Sequence, residues 1–305
     1  MKIGINGTGL VQKASVAAVI AHAEAAEQAG FASYWLAEHP TGGFDALTVL
    51  ALVGQRVREL ELGTAIVPTF PRHPLAMAGQ ALTTAASIEH RLTLGIGLSH
   101  EPMMAQLGIG FDRPIRHLRE YLTILMALMG TGKVDFTGEL LACQAELFRV
   151  PASATPVVAA ALGPQALKVA GSLCDGTTLA WVGPKTVREH IVPRITDAAA
   201  AAGREAPRII ATLPVCVTEQ PDQVRAAIAK GLSMYGRLPS YRAMFEREGV
   251  DGPADVAIVG DAAEVHDRLQ AMAEAGVTDF AASEFVRSSE EREATRALLC
   301  DLLSR

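Results

Sequence analysis

Residues Thr93 to Glu101 read TLGIGLSHE. An apolar run relieved only by glycine has the character of a parallel strand buried on both faces. This one ends by presenting Ser99, His100 and Glu101 together. The same succession of apolar strand, then glycine or polar residue, then helix recurs along the chain. Strands are predicted at Lys2 to Asn6, Ala32 to Ala37, Leu60 to Val67, Leu92 to Leu98, Thr155 to Ala161, Gly176 to Trp181, Arg208 to Thr218 and Val277 to Phe285, each followed by a segment of helical spacing. Eight such units predict an α/β fold of the TIM (β/α)8 type. In that fold functional side chains stand at the C-terminal ends of different strands, so the strand ends are the positions to read.

The length of 305 residues suits one elaborated barrel, since barrels with insertions run from about 200 to more than 400 residues. The first helix is predicted over Ser15 to Ala29 and stops at Gly30, a residue suited to the left-handed conformation that often follows a helix. Two segments interrupt the alternation. Residues 130–150 contain VDFTGELL and read as a small hairpin, and residues 232–260 read as extra helices with a short extended piece. Neither is linker-like, so residues 1–305 are expected to form a single domain with two insertions.

Half of the residues are hydrophobic and 20% are charged, a composition that excludes disorder. The net charge of -6 leaves no basic footprint for nucleic acid. The four cysteines, Cys143, Cys174, Cys216 and Cys300, form no CxxC pair, which argues against a zinc knuckle or a disulfide framework. The opening MKIGING enters a strand without the apolar stretch of a signal peptide, and every apolar run falls short of the roughly 18 residues that span a bilayer. A cytoplasmic protein without a membrane segment is expected. No HExxH motif and no close His, Asp and Glu set is present, so no metal is expected.

Residues KIGINGTGL, Lys2 to Leu10, imitate the opening of a dinucleotide-binding unit, and Glu38 ends the second strand. The third glycine of that fingerprint lets helix and strand pack closely, and Gln12 stands in its place. The motif is broken where packing requires it, and a tight strand-to-helix loop is the alternative.

The strand ends carry Asn6, Glu38 and His39, the Thr64-Ala65-Ile66 segment, Ser99 and His100, Ala161 followed by Leu162-Gly163-Pro164-Gln165, Trp181, and finally Glu284, Phe285 and Arg287. This order, together with AEQAGFASYWLAEH, the span from LGTAIVPTF to GIGLSHE, FDRPIRHLREYL, AALGPQAL, CDGTTLAWVGP, VGDAAEVHDRL and AGVTDF, resembles the bacterial luciferase-like oxidoreductase superfamily, within it the branch that uses the deazaflavin coenzyme F420. The resemblance implies a TIM barrel, a homodimer, and hydride exchange between the deazaflavin and a small organic substrate. FMN is the alternative cofactor, which would make a monooxygenase possible. A non-catalytic flavin- or deazaflavin-binding protein on the same barrel is the alternative from another class.

A flat tricyclic ring needs apolar walls and a well-placed backbone edge. The resemblance implies a bulge at strand three with a non-proline cis peptide at Ala65–Ile66, and a cofactor phosphate held at Leu162 to Gln165. Independently, Gly163-Pro164 reads as a helix start whose free backbone N–H groups favour an anion. The implied cofactor contacts are Asn6, Glu38, Thr64, Ala65, Ile66, Gly97, Ser99, Ala160, Ala161, Leu162, Gly163, Pro164 and Gln165. His39 is the expected proton-transfer group, because imidazole titrates near neutral pH and related dehydrogenases carry a histidine there. His100 occupies the place where some family members carry a glutamate, and is the second catalytic candidate. Phe44, Trp181, Phe285 and Arg287 are the candidate substrate contacts. With few cations near the expected mouth, a mostly apolar substrate fits better than a phosphorylated one.

Overall fold

A computed structural model describes residues 1–11, 14–149 and 153–303. Along the chain, β1 (Lys2–Asn6), β2 (Ser33–Leu36), β3 (Glu61–Thr64), β4 (Val67–Pro68) and β5 (Leu92–Gly97) come first. A hairpin of β6 (Lys133–Thr137) and β7 (Ala142–Glu146) follows, then β8 (Val157–Ala160), β9 (Gly176–Ala180), β10 (Arg208–Thr212), β11 (Pro214–Val217), β12 (Ile258–Gly260) and β13 (Asp279–Glu284). The parallel ring runs β1, β2, β3, β5, β8, β9, β10, β13 and returns to β1, where Lys2 pairs with Asp279 and Ile5 with Ala282. This is a closed eight-stranded barrel with helices outside it, the fold the alternation predicts.

Two of the predicted strands are divided. The third breaks at Ala65 and Ile66 before resuming as β4, and the seventh breaks at Leu213, after which β11 pairs both β13 and the outlying β12. The first helix, Val16–Gln28, is capped by the Ser15 hydroxyl, which accepts the Ala18 N–H, and Gly30 follows it at a φ of +85°. Gln12 and the end of the first predicted insertion, from residue 150, lie outside the described residues.

The barrel interior is filled in layers. Trp35 is fully buried among Val158, Ile210 and Ala281, with Ala65 against them. A Cβ at Gly63 would collide with the Trp35 indole, so the large ring on one strand requires the glycine on the next. Towards the N-terminal end of the strands, Arg208 donates to Glu61 at 2.8 Å and to Asp279 at 2.8 Å. A polar plug of this kind closes the end opposite to the expected site.

Both insertions form. In the first, the Glu120 carboxylate accepts the backbone N–H groups of Glu139, Leu140 and Leu141 at 2.8–3.0 Å, tying the β6–β7 turn to the helix Pro114–Thr131. The second carries a 3-10 turn at Tyr235–Arg237, helices Pro239–Glu248 and Pro253–Val256, and β12.

Outside the barrel, Glu284 receives Arg296 at 2.7 and 2.9 Å and His22 at 3.0 Å, while the other nitrogen of His22 meets the Tyr34 hydroxyl at 2.9 Å. Burial alone would raise the Glu284 carboxyl, but the hydrogen bonds from His22 and Arg296 and their charge bring it down to about 2. At Glu291 the Arg287 guanidinium is the main cause of a value of about 2. Both carboxyls bind protons less readily folded than unfolded, so the stability they contribute is complete above about pH 4.5 and is lost as pH falls towards 2. Urea midpoints should therefore drop between about pH 5 and pH 3. Glu284→Gln should flatten that slope, and an unchanged slope would refute the assignment.

Candidate active site at the barrel mouth

The third strand end is built by Thr64 and Gly95. The Thr64 hydroxyl donates to the Gly95 carbonyl at 2.7 Å and accepts the Gly95 N–H at 2.8 Å, replacing the sheet ladder where the strand departs from it. A Cβ at Gly95 would collide with the Thr64 carbonyl oxygen. Ala65 N–H donates to Leu36 and Glu38 N–H to Ile66, at 2.8 and 2.9 Å, so the departing segment stays tied to β2. The Ala65–Ile66 peptide is cis, as the resemblance implies. Thr64 is wholly buried with its hydroxyl engaged, so it shapes the bulge and does not reach into the mouth as a cofactor contact.

Ile66 lies over Gly97. A Cβ on that glycine would stand 3.1 Å from Ile66 and 3.0 Å from the Ala160 Cβ, so the floor between strands three and five depends on small residues. Ala65, Ile66 and Ala160 are partly exposed at this floor, and Ala161 is buried behind it. Asn6, at the end of β1, donates to the Thr212 hydroxyl across the mouth at 3.3 Å and accepts the Thr8 N–H at 2.9 Å. Gly7 follows because a Cβ there would meet the Tyr34 phenol, a local packing reason for a glycine that imitates a dinucleotide motif.

Glu38 is placed otherwise than expected. Its carboxylate takes Arg72 at 2.7 and 3.2 Å, and Arg72 also holds Asp45 at 2.6 Å, with Gln80 closing the network. Glu38 also accepts the Ala46 N–H at the start of the helix Ala46–Gly54. The side chain thus braces the loop after β2, and the cofactor contact expected of it is corrected to a structural role. Phe44, in the same loop, is half-buried against the core.

The two candidate histidines meet electrostatically. Burial lowers the His100 pKa from its ordinary value, and His39 adds to the effect. His39 Nδ1 lies 3.0 Å from the Thr41 hydroxyl, which orients the ring. Ser99, just before His100, has a φ of +61°, and its hydroxyl points back to the Met103 sulfur at 3.5 Å. Trp181, at the end of the sixth barrel strand, has a φ of +62°. Left-handed backbone at a residue other than glycine is costly and tends to collect at functional sites.

After β8 the chain turns at Leu162 into the helix Pro164–Leu173, whose N-cap Gly163 supplies no side-chain cap. Gly163, Pro164 and Gln165 are exposed, and no atom lies within 4 Å of a Cβ built on Gly163. The first-turn amides are thus free to meet an anion. His190, buried on a π-helical turn, bonds the Leu162 carbonyl at 2.7 Å and steadies this loop. Its spacing on a helix predicts only a solvated or packing residue.

Two expected substrate contacts are corrected. Arg287 is engaged by Glu291 at 2.8 Å and by Gln223 at 2.9 Å, and Phe285 packs with the outer cluster of Cys216, Val224 and Val259 behind β11. Glu291, Gln223 and the outer cluster hold the two side chains. In their place the second insertion brings Tyr235 and Tyr241 beside Trp181 and His100, which its sequence, read as extra helices, does not foretell. Among the described residues no group of three His, Cys, Asp or Glu side chains gathers as a metal site.

Barrel, bulged third strand and imidazoles at the mouth define an oxidoreductase-type (β/α)8 barrel. The model of the luciferase-like monooxygenase family matches residues 3–279, and the chain belongs to that family. It is 25% identical over 245 residues to the 5,10-methylenetetrahydromethanopterin reductase of Methanolobus tindarius, covering 80% of this chain and 74% of the relative. It is 27% identical to the F420-dependent glucose-6-phosphate dehydrogenase of Mycobacterium leprae, covering 71% of this chain and 66%, just under two thirds, of the relative. A solved F420-dependent secondary alcohol dehydrogenase with an F420-acetone adduct superposes with a TM-score of 0.82 over 97% of both chains at 18% identity, a likeness of fold.

Proposed function

We propose that this chain is a coenzyme F420-dependent oxidoreductase that exchanges hydride with a small, mostly apolar organic substrate. The observation that carries the reading is the floor of Ile66, Gly97 and Ala160 with two imidazoles at its edge. The F420-dependent relatives support it. The residues present fit the coenzyme: small side chains and a backbone edge would lie under a flat ring, Asn6 would face it, and the uncapped turn at Gly163 to Gln165 would receive a phosphate. When bound, coenzyme F420 supplies a two-electron hydride carrier.

The protein's own part is to bind, orient and move a proton. His100, kept below its ordinary pKa, is neutral at pH 7 and able to accept a proton. His39, held by Thr41, is read as the partner that exchanges a proton with the substrate. Residues 1–305 are read as one domain that includes both insertions. A homodimer is read from the resemblance, with the exposed small residues Ala76, Gly79, Thr83 and Ala86 on the helix Pro74–Ser87 as a surface for close helix contact. No helix among the described residues is long and apolar enough to cross a membrane, and the cysteines are unpaired, which supports a reducing cytoplasm as the location.

Fluorescence-quenching titrations with F420, FMN and NADP test the cofactor, with light scattering on the same sample for the dimer. Saturable F420 binding is expected, weakened about tenfold or more by Gly97→Val, because the added methyls have no room over Ala160. A protein that retains yellow FMN would overturn the deazaflavin assignment. Binding without turnover over a broad substrate panel would make the protein a carrier.

A further inference from the structure

An unbroken row of aromatic rings crosses the mouth from the fourth barrel strand to the sixth. The His100 and Tyr241 ring centroids are 5.4 Å apart, Tyr241 and Tyr235 are 5.6 Å apart with their planes at 78°, and Tyr235 and Trp181 are 5.0 Å apart. All four residues are only partly buried. The ends of the row are set by left-handed backbone, Ser99 just before His100 and Trp181 itself. Its middle comes from the second insertion, from the 3-10 turn Tyr235–Arg237 and the helix Pro239–Glu248.

Among the described residues neither tyrosine hydroxyl makes a hydrogen bond, and both residues are partly exposed, so each hydroxyl is open to a ligand. Burial raises both phenols above their ordinary pKa, so each remains an O–H donor at neutral pH. Arg72 is engaged by Glu38 and Asp45, and Arg287 by Glu291. The rings of the row themselves offer aromatic faces and neutral O–H donors.

We propose that this aromatic row is the substrate-recognition wall of the enzyme and that it selects a planar, uncharged aldehyde or ketone, stacked against Trp181 and Tyr235 with its carbonyl oxygen within reach of a phenol O–H. The inference rests on the F420 reading. In the step it would serve, the carbonyl carbon would accept one hydride from the reduced coenzyme, which would be left oxidised, the C=O π pair would move to oxygen, and a phenol or imidazole would give that oxygen the one proton that completes the alcohol. A phenol O–H positioned in advance can stabilise the negative charge that would develop on that oxygen.

The test uses two readouts. Calorimetric titration of the protein without cofactor, with benzaldehyde and with trans-cinnamaldehyde as probes, should give binding that Tyr235→Ala and Trp181→Leu each weaken about fivefold or more, and that Tyr235→Phe largely preserves, since stacking survives in the last. The F420 dissociation constant of the same variants should stay within about twofold, showing that they are folded. With reduced F420 the wild type should turn over the planar carbonyls, and glucose 6-phosphate with oxidised F420 should be a poor substrate. Unchanged aldehyde binding in Tyr235→Ala and Trp181→Leu, or faster turnover of glucose 6-phosphate, would overturn the wall while leaving the F420 reading intact. Absence of F420 binding to the wild type would overturn both.

Discussion

Alanine at His39 is expected to lower kcat about a hundredfold or more while leaving F420 affinity within about twofold, as befits loss of a proton-transfer group. His39 ends the second barrel strand, its Nδ1 is steadied by Thr41, and its ring is close enough to His100 to depress the latter's protonation. Stopped-flow and steady-state assays would separate the two effects, and a defect confined to KM would reassign His39 to substrate binding. The pH dependence follows from His100. Burial first, and His39 second, hold its pKa below the ordinary 6.5, so the neutral ring persists through pH 7 and is lost only as pH falls below that value. The sign is the same for stability, because the folded ring binds protons less readily than the unfolded one, so any contribution is complete above 6.5 and declines on acidification. The activity of the wild type should accordingly be flat above neutrality and fall on the acid side, and His100→Gln should remove that acid limb.

Arg208→Ala should cost about 3 kcal/mol of unfolding free energy, read from urea denaturation, because it leaves two carboxylates facing each other inside one end of the barrel. Arg208 donates to Glu61 and to Asp279, and Asp279 is 4% exposed. Burial alone would lower the guanidinium pKa, but the hydrogen bonds and charges of Asp279 and Glu61 hold it well above its ordinary value. If unpaired charge is the cause, Arg208→Met combined with Glu61→Gln should recover part of the loss relative to Arg208→Met alone. An equal loss in both would point to packing. The site lies at the opposite end of the strands, so F420 affinity of the folded variants should be preserved.

The barrel was legible because each unit carries its own signal. A parallel strand covered on both faces reads as a continuous apolar run, and the first helix reads from Ser15, whose side chain caps it. The cis bulge at Ala65–Ile66 was legible only through resemblance to a family, since a GTAIV run by itself is any buried strand, whereas the helix start at Gly163-Pro164 was legible from its residues. Glu38, Thr64, Phe285 and Arg287 were read as site residues from their place at strand ends, yet each has partners on distant segments: Arg72, Gly95, the outer cluster around Cys216, and Gln223. No local pattern announces such a partner. The same holds for Tyr235 and Tyr241, which come to the mouth only because the second insertion folds back over it.

By itself, then, the amino-acid order determined the eightfold alternation, the bounds of the first helix, and the strand ends on which the candidates His39 and His100 stand, because hydrophobic period, capping and turn chemistry act over a few residues. Which strand-end side chains remain free for chemistry, which are tied to a neighbour, and which rings line the mouth was decided by the closed barrel alone. Those outcomes depend on pairings between residues tens to hundreds of positions apart, such as His22 with Glu284 and Asn6 with Thr212, and only packing brings such residues within a hydrogen bond of each other.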